Sequence, residues 1–197
     1  MSSHSLEDAI RSAGTPVELL RDLGVARFTA LPDEYTNWID EQKSWAESVA
    51  FADQSYHMTD LHVEGPDALD LYRDHCVNSF SGFDVGKAKQ MVLANPNGYF
   101  IGDAILFHLD DEEFLSVGAA PSHNWLEFNA ETGGYDVDVE FQARPVGTKE
   151  DPNNFRFQVQ GPDAVAVMEE AVDGDVPELG FFNFAPVEIS GHEVNLL

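Results

Sequence analysis

Residues 61–74, LHVEGPDALDLYRD, resemble residues 157–170, FQVQGPDAVAVMEE, in pattern and share Gly-Pro-Asp-Ala, with Gly65 and Gly161 standing 96 positions apart. Each reads as a strand, a Gly-Pro corner and a helix. Proline suits the first position of a helix because the N–H it lacks has no partner there. Two copies are too few for a solenoid, so the repeat predicts two related halves framing a common centre. The expected fold class is α+β, mainly antiparallel sheets with flanking helices. The polar stretch from Arg144 to Asn154, with two prolines, is the only linker candidate. A first half with N-terminal helices is therefore expected over 1–145, and the start of a second, incomplete at its C-terminal end, over 155–197.

Local patterns fill in the elements. Ser5-Leu-Glu-Asp8 has the spacing of a capping box, and Thr15-Pro16-Val-Glu18 opens another short helix ending near Gly24. Helix is expected over 33–48, with Trp38 and Trp45 two turns apart on one face, and over 122–132, stopped by Gly133-Gly134. Strands are expected near 56–64, 88–95, 99–109, 114–119 and 135–142; in the last, Asp136, Asp138 and Glu140 face solvent.

The strand over 99–109 raises a chemical question. It follows an Asn95-Pro-Asn-Gly98 turn, and one of its faces carries Tyr99, Ile101, Asp103, Ile105, Phe107 and Leu109. That face is apolar except for one carboxylate at its middle. An ionised acid on a buried strand face is expensive unless something pairs with it. On pattern alone, Asp103 is a core acid satisfied by backbone N–H groups or an arginine. His57, expected on a strand with Ser55, Thr59 and Leu61 as its same-face mates, is likewise structural on pattern alone.

Charge narrows the partners. Acids outnumber bases 36 to 10, a formal net charge of −26, so neither nucleic acid nor an anionic membrane would meet a basic patch. The acids are scattered, and 43% hydrophobic residues with 11% aromatics describe a folded chain under an acidic skin. Adaptation to high salt explains such a skin, since screening makes self-repulsion tolerable; a calcium-binding role lacks the loop it needs. Cys76 is the single cysteine, expected to face the core, which rules out an intrachain disulfide and points to a reducing compartment. With no apolar run of membrane-spanning length, a soluble, cytoplasmic protein is expected. Seven histidines without HxxxH or HxH spacing give no zinc site. Dinucleotide, NTP and serine-hydrolase motifs are absent.

The order Asp53-Gln54-Ser-Tyr-His57-Met58, Gly65-Pro66-Asp-Ala68, Gly86-Lys87-Ala88, Asn95-x-x-Gly98, Gly102-Asp103 and Gln160-Gly161-Pro162 resembles the folate-binding domain of the glycine-cleavage T-protein (aminomethyltransferase) family. Tyr35-x-Asn37-Trp38, Ala88-Lys89-Gln90, Asn124-Trp125-Leu126, Thr132-Gly133-Gly134-Tyr135 and Phe181-Phe182-Asn183 resemble its vanillate- and syringate-type O-demethylase branch. The resemblance implies tetrahydrofolate as cofactor and methyl transfer to it from a small donor. It implies a role for Asp103 at the reactive end of the folate, reversing the pattern reading. It brings His57 and Met58 toward the pterin, with Met58 as a pocket wall, and makes Gln90, and more weakly Gln54, a polar contact to pterin or substrate. Two alternatives stay open: a glycine-cleavage aminomethyltransferase, and a truncated non-catalytic folate-binding or scaffold module.

Departures from the pattern matter too. Gly102 stands where the aminomethyltransferases usually carry a second acid, and Gly118-Ala-Ala-Pro121 replaces their Asn-Ala-Ala-Asn; both favour the demethylase branch. The family continues past Val194-Asn-Leu-Leu197 into a glycine-rich segment whose acid grips the pterin, and then into a barrel domain. The expectation is a fragment, a truncated product or one piece of a split protein, its cavity completed by a partner chain or a missing C-terminal region.

Overall fold

A computed structural model describes residues 6–21, 34–143 and 152–197. The chain begins with helices α1 (Leu6–Ala13), α2 (Pro16–Arg21) and α3 (Trp38–Glu47), then strands β1 (Ala50–Asp53) and β2 (Thr59–Glu64). Helix α4 (Ala68–His75), strands β3 (Ala88–Ala94), β4 (Phe100–Asp110) and β5 (Glu113–Gly118), helix α5 (Ala120–Gly133) and strand β6 (Asp138–Gln142) follow. Strand β7 (Phe157–Gln160), helix α6 (Ala164–Ala171) and the hairpin β8 (Ala185–Ile189) and β9 (His192–Leu196) complete it. The five-stranded sheet runs β3-β4-β5-β2-β6 with every neighbour antiparallel; β1-β7 and β8-β9 form two-stranded ribbons.

Local chemistry explains the boundaries. Thr15 Oγ1 accepts from the Glu18 N–H at 3.1 Å, capping α2. Asn37 caps α3 through Asp40 N–H, so that helix starts at Trp38 rather than near 33; residue 33 itself, like Ser5, Gly24 and residues 144–151 of the linker, lies outside the described residues. Trp38 and Trp45 are exposed. Helix α5 ends at Gly134, whose φ of 78° is the left-handed conformation that glycine adopts at no steric cost.

Helices α4 and α5 cover one face of the large sheet. Leu61, Val63, Leu71, Tyr72, Met91, Leu93, Leu106, Phe114 and Leu126 are fully buried there, and half-buried Cys76 packs against them. On β4 the buried residues are Gly102, Ala104, Leu106 and His108, so Asp103 is on the opposite, open face and is exposed. This corrects the expected burial of Asp103. The reason is the helix: a Cβ on Gly102 would run into Ser122 Oγ at the start of α5, so the face that carries Gly102 is the one the helix covers. The more apolar face of the strand is only half-buried.

The repeat is visible in the backbone. Gly65 and Gly161 have φ of 142° and 137°, and a Cβ on either would lie 2.9 Å from the Cα of Val137 or Val49. Asp67 N–H donates to Asp136 O, and Asp163 N–H to Ser48 O. Strand β6 thus lies against the first corner as β1 lies against the second, which accounts for β1, a strand of four residues too short to read in sequence. A division at 144–154 leaves β1 on one side in sequence and on the other in space.

The two copies meet at an antiparallel bridge between equivalent positions. Lys87 bridges Asn183, its own repeat mate 96 residues on. Ala88 N–H donates to Phe182 O and Phe184 N–H to Gly86 O, both at 2.8 Å, and the 96-residue shift exchanges these two bonds. Gly86 and Phe182, mates again, both have positive φ. A phenylalanine in that region is strained, and it is tolerated where its own carbonyl accepts from Ala88 N–H and the next residue, Asn183, is bridged to Lys87.

Candidate functional site on the open sheet face

Register lays out the open face in rows. Gln90 opposes Ile105, which opposes Val117, then Asp60, then Gln142. In the next row Val92 opposes Asp103. On the other side, Ala88, Phe107, Leu115, His62 and Glu140 align. The middle of the face is therefore an apolar strip of half-buried Ile105, Phe107, Leu115 and Val117, with polar groups at both margins.

Asp103 stands at one margin. Gln90, one strand over and diagonal to it, donates from Nε2 to Asp103 Oδ2 at 2.6 Å. Among the described residues no cation pairs with this carboxylate. Its backbone carbonyl is held separately by the Ser122 hydroxyl at 3.2 Å. The position is thus fixed by α5 and β3 while the charge stays uncompensated.

Thr59 and Ala104 both oppose Gly118, so Met58 and Asp103 lie at the same end of the sheet on strands either side of β5. Met58 is half-buried. The sequence pattern predicts His57 on a strand; it is instead in the turn before β2, which begins only at Thr59. Its Nδ1 is 2.9 Å from Gln54 O. Gln54 is anchored through its N–H to Arg156 O at 2.8 Å, and its side chain donates to Gln158 at 3.3 Å. The five candidates thus form two joined pairs, Gln90 with Asp103 and His57 with Gln54, and Met58 follows His57 in the second pair's turn.

At the far margin is a polar hollow of about 170 Å³ lined by Asp60, His62, Glu140, Gln142, Asn153 and Asn154. Asp60 is buried there and paired with Arg156 at 2.7 Å, and His62 Nε2 lies 2.8 Å from Glu113. Sequence reasoning passed over Asp60 and Arg156. A signal existed: they are repeat mates, 96 residues apart, so the aligned copies set an acid against a base. Among the described residues no cluster of side chains suits a metal ion, and no helix is long and apolar enough to cross a membrane.

Comparison with known proteins bears on this arrangement. The family described as GCVT N-terminal domain matches residues 25–197. The syringate O-demethylase of Sphingobium sp. is 42% identical over 98% of this chain and 42% of its own length. The sesamin methylene transferase of Sinomonas sp. is 31% identical over 87% of this chain and 36% of its own. The aminomethyltransferase of Corynebacterium jeikeium is 31% identical over 83% and 42%. The chain spans less than half the length of each. Among solved structures, glycine cleavage system aminomethyltransferase T from Bartonella henselae superposes with a TM-score of 0.59 at 23% identity, covering 74% of this chain and 37% of that one; it matches the α+β fold. On the match across 25–197, the chain belongs to the GCVT N-terminal domain family.

Proposed function

We propose that the protein serves the transfer of a methyl group from a small ether donor to tetrahydrofolate, with Asp103 beside the reacting nitrogen. Relatives named for syringate demethylation, sesamin methylene transfer and aminomethyl transfer support one-carbon chemistry, and 42% identity to the first against 31% to the others favours the demethylase kind.

What carries this reading is the Asp103 carboxylate, held by a neutral amide at 2.6 Å beside an apolar strip. A neutral donor fixes the carboxylate without cancelling its charge, and such preorganised charge stabilises what develops in a transition state. The face also suits a pterin, a flat ring with polar edges: Val92, Ile105 and Val117 offer an apolar floor, and Asp103 an acceptor for a ring N–H. Met58 would form a wall at the same end of the sheet, with His57 and Gln54 as its polar rim. Tetrahydrofolate, when bound, supplies the nitrogen that takes up the methyl carbon. As the methyl carbon left its ether oxygen, which departs as phenolate, Asp103 would stabilise the positive charge that grows on the nitrogen and accept the proton it sheds, with Gln90 keeping the carboxylate aimed. A cytoplasmic, salt-rich setting accords with the single free thiol and the charge of −26.

The test is calorimetric titration with tetrahydrofolate, followed by methyl transfer from syringate as a trial donor. Saturable binding and methyltetrahydrofolate formation are expected. Binding without transfer from any aryl ether would favour the non-catalytic folate module, and no binding would refute the reading.

A further inference from the structure

Arg156 holds both ends of one short turn. At one end its carbonyl accepts from the Gln54 N–H at 2.8 Å and from the Ser55 hydroxyl at 3.3 Å, and its N–H donates to Ser55 Oγ at 2.9 Å. At the other, Nη1 donates to both oxygens of Asp60, at 2.7 and 2.8 Å, with Asn154 Nδ2 adding a bond at 3.1 Å. Ser55 and Asp60 are buried, 1% and 5% exposed. Between these anchors Tyr56, His57 and Met58 form the turn, and Thr59 opens β2.

We propose that Arg156 is a positioning residue that sets the His57-Met58 turn toward the folate site, an inference that rests on the proposed function for the identity of the ligand. Holding both ends of this three-residue turn from one partner removes conformational freedom that binding would otherwise have to remove. The pair also sets a residue against its own repeat mate, 96 positions on. Identical residues there would set like charges together; an acid in one copy and an arginine in the other turn repulsion into a directed contact. Stability alone does not explain the choice, since well-packed apolar residues replace a buried ion pair at no loss. Moreover, Arg156 Nε and Nη2 are buried without a partner among the described residues, a cost that a purely cohesive contact would not carry. What the ion pair adds is orientation.

The test compares the wild type with Arg156→Lys and with the double variant Arg156→Met, Asp60→Leu, which strands neither charge. Amide hydrogen exchange is read over 54–60 without ligand, then tetrahydrofolate affinity, and kcat and KM for methyl transfer. In the double variant, exchange at 56–58 should rise about tenfold while β2 to β5 stay protected. Tetrahydrofolate affinity and kcat should each fall about tenfold, with the lysine variant recovering part of both and KM for the methyl donor little changed. Unchanged exchange at the turn overturns the clamp, as does uniform loosening of the whole sheet. Unchanged affinity in a variant whose turn has loosened overturns the link to the ligand. A wild type that takes up no tetrahydrofolate refutes the functional reading and the ligand link with it, while the exchange result still decides the clamp.

Discussion

Acid should loosen this fold through one buried histidine. His123 is fully buried between Thr59 and Ser116. The Thr59 hydroxyl donates to Gly118 O at 2.8 Å, so its oxygen accepts from His123 Nδ1–H at 2.7 Å; the Ser116 hydroxyl, 3.1 Å from Nε2, donates to it. The ring is thereby held neutral, and burial pushes its pKa from 6.5 down to about 4. Above pH 6.5 neither the folded nor the unfolded ring is charged, and the group leaves stability untouched. As pH falls from 6.5 toward 4, the unfolded chain binds a proton that the fold refuses, so stability drops, and the loss levels off below 4. Between pH 7 and pH 5 this amounts to about 2 kcal/mol. Urea melts of the wild type and of His123→Asn in molar KCl isolate the effect from the carboxylates. The variant should lose about 1–3 kcal/mol at pH 7 by breaking the bonds that join the ring to Thr59 and Ser116, and the gap between the two proteins should close by about 2 kcal/mol at pH 5. A gap of constant size, or an NMR titration of His123 centred near 6.5, would refute the reasoning.

Other perturbations follow from the same geometry. With a charge of −26, the melting temperature should rise as KCl goes from dilute to molar, because screening relieves self-repulsion; a flat or falling temperature would remove the salt-adaptation reading. Gly65→Ala and Gly161→Ala each drive a Cβ into the backbone of the neighbouring strand at positive φ. Each should cost about 1–3 kcal/mol in urea melts, and a large difference between them would contradict the equivalence of the two corners. Gly118→Ala places a Cβ 2.9 Å from Ala104 Cα and Asp103 O; it should lower both stability and transfer, since it displaces the strand that carries the carboxylate.

Sequence pattern carried most of the fold and part of the site. Period-2 runs gave β3, β4 and β5 to within about two residues, and Gly133-Gly134 correctly ended α5. Strand β1 escaped because AFAD is short and owes its existence to β7, more than 100 residues away. The face of β4 was misjudged because hydrophobicity was weighed against burial without the helix that covers it. Gly102 looks neutral in sequence, yet its missing Cβ is what admits Ser122 at the start of α5. His57 was put on a strand because its neighbours alternate suitably, whereas Arg156 instead ties residues 54 and 55 into a turn. Gln90 and Asp103 were legible as separate candidates, but their contact depends on a diagonal register across two strands that no local pattern encodes.

The central claim is that Asp103 serves chemistry and not folding, and Asp103→Asn tests it most directly. The residue is exposed, and asparagine keeps an acceptor for Gln90 while removing the charge. Stability should stay within about 0.5 kcal/mol of the wild type, while tetrahydrofolate-dependent methyl transfer per folded molecule falls by about 10²–10³-fold. A variant that transfers methyl groups at the wild-type rate, or that loses its fold in step with its activity, would contradict the account.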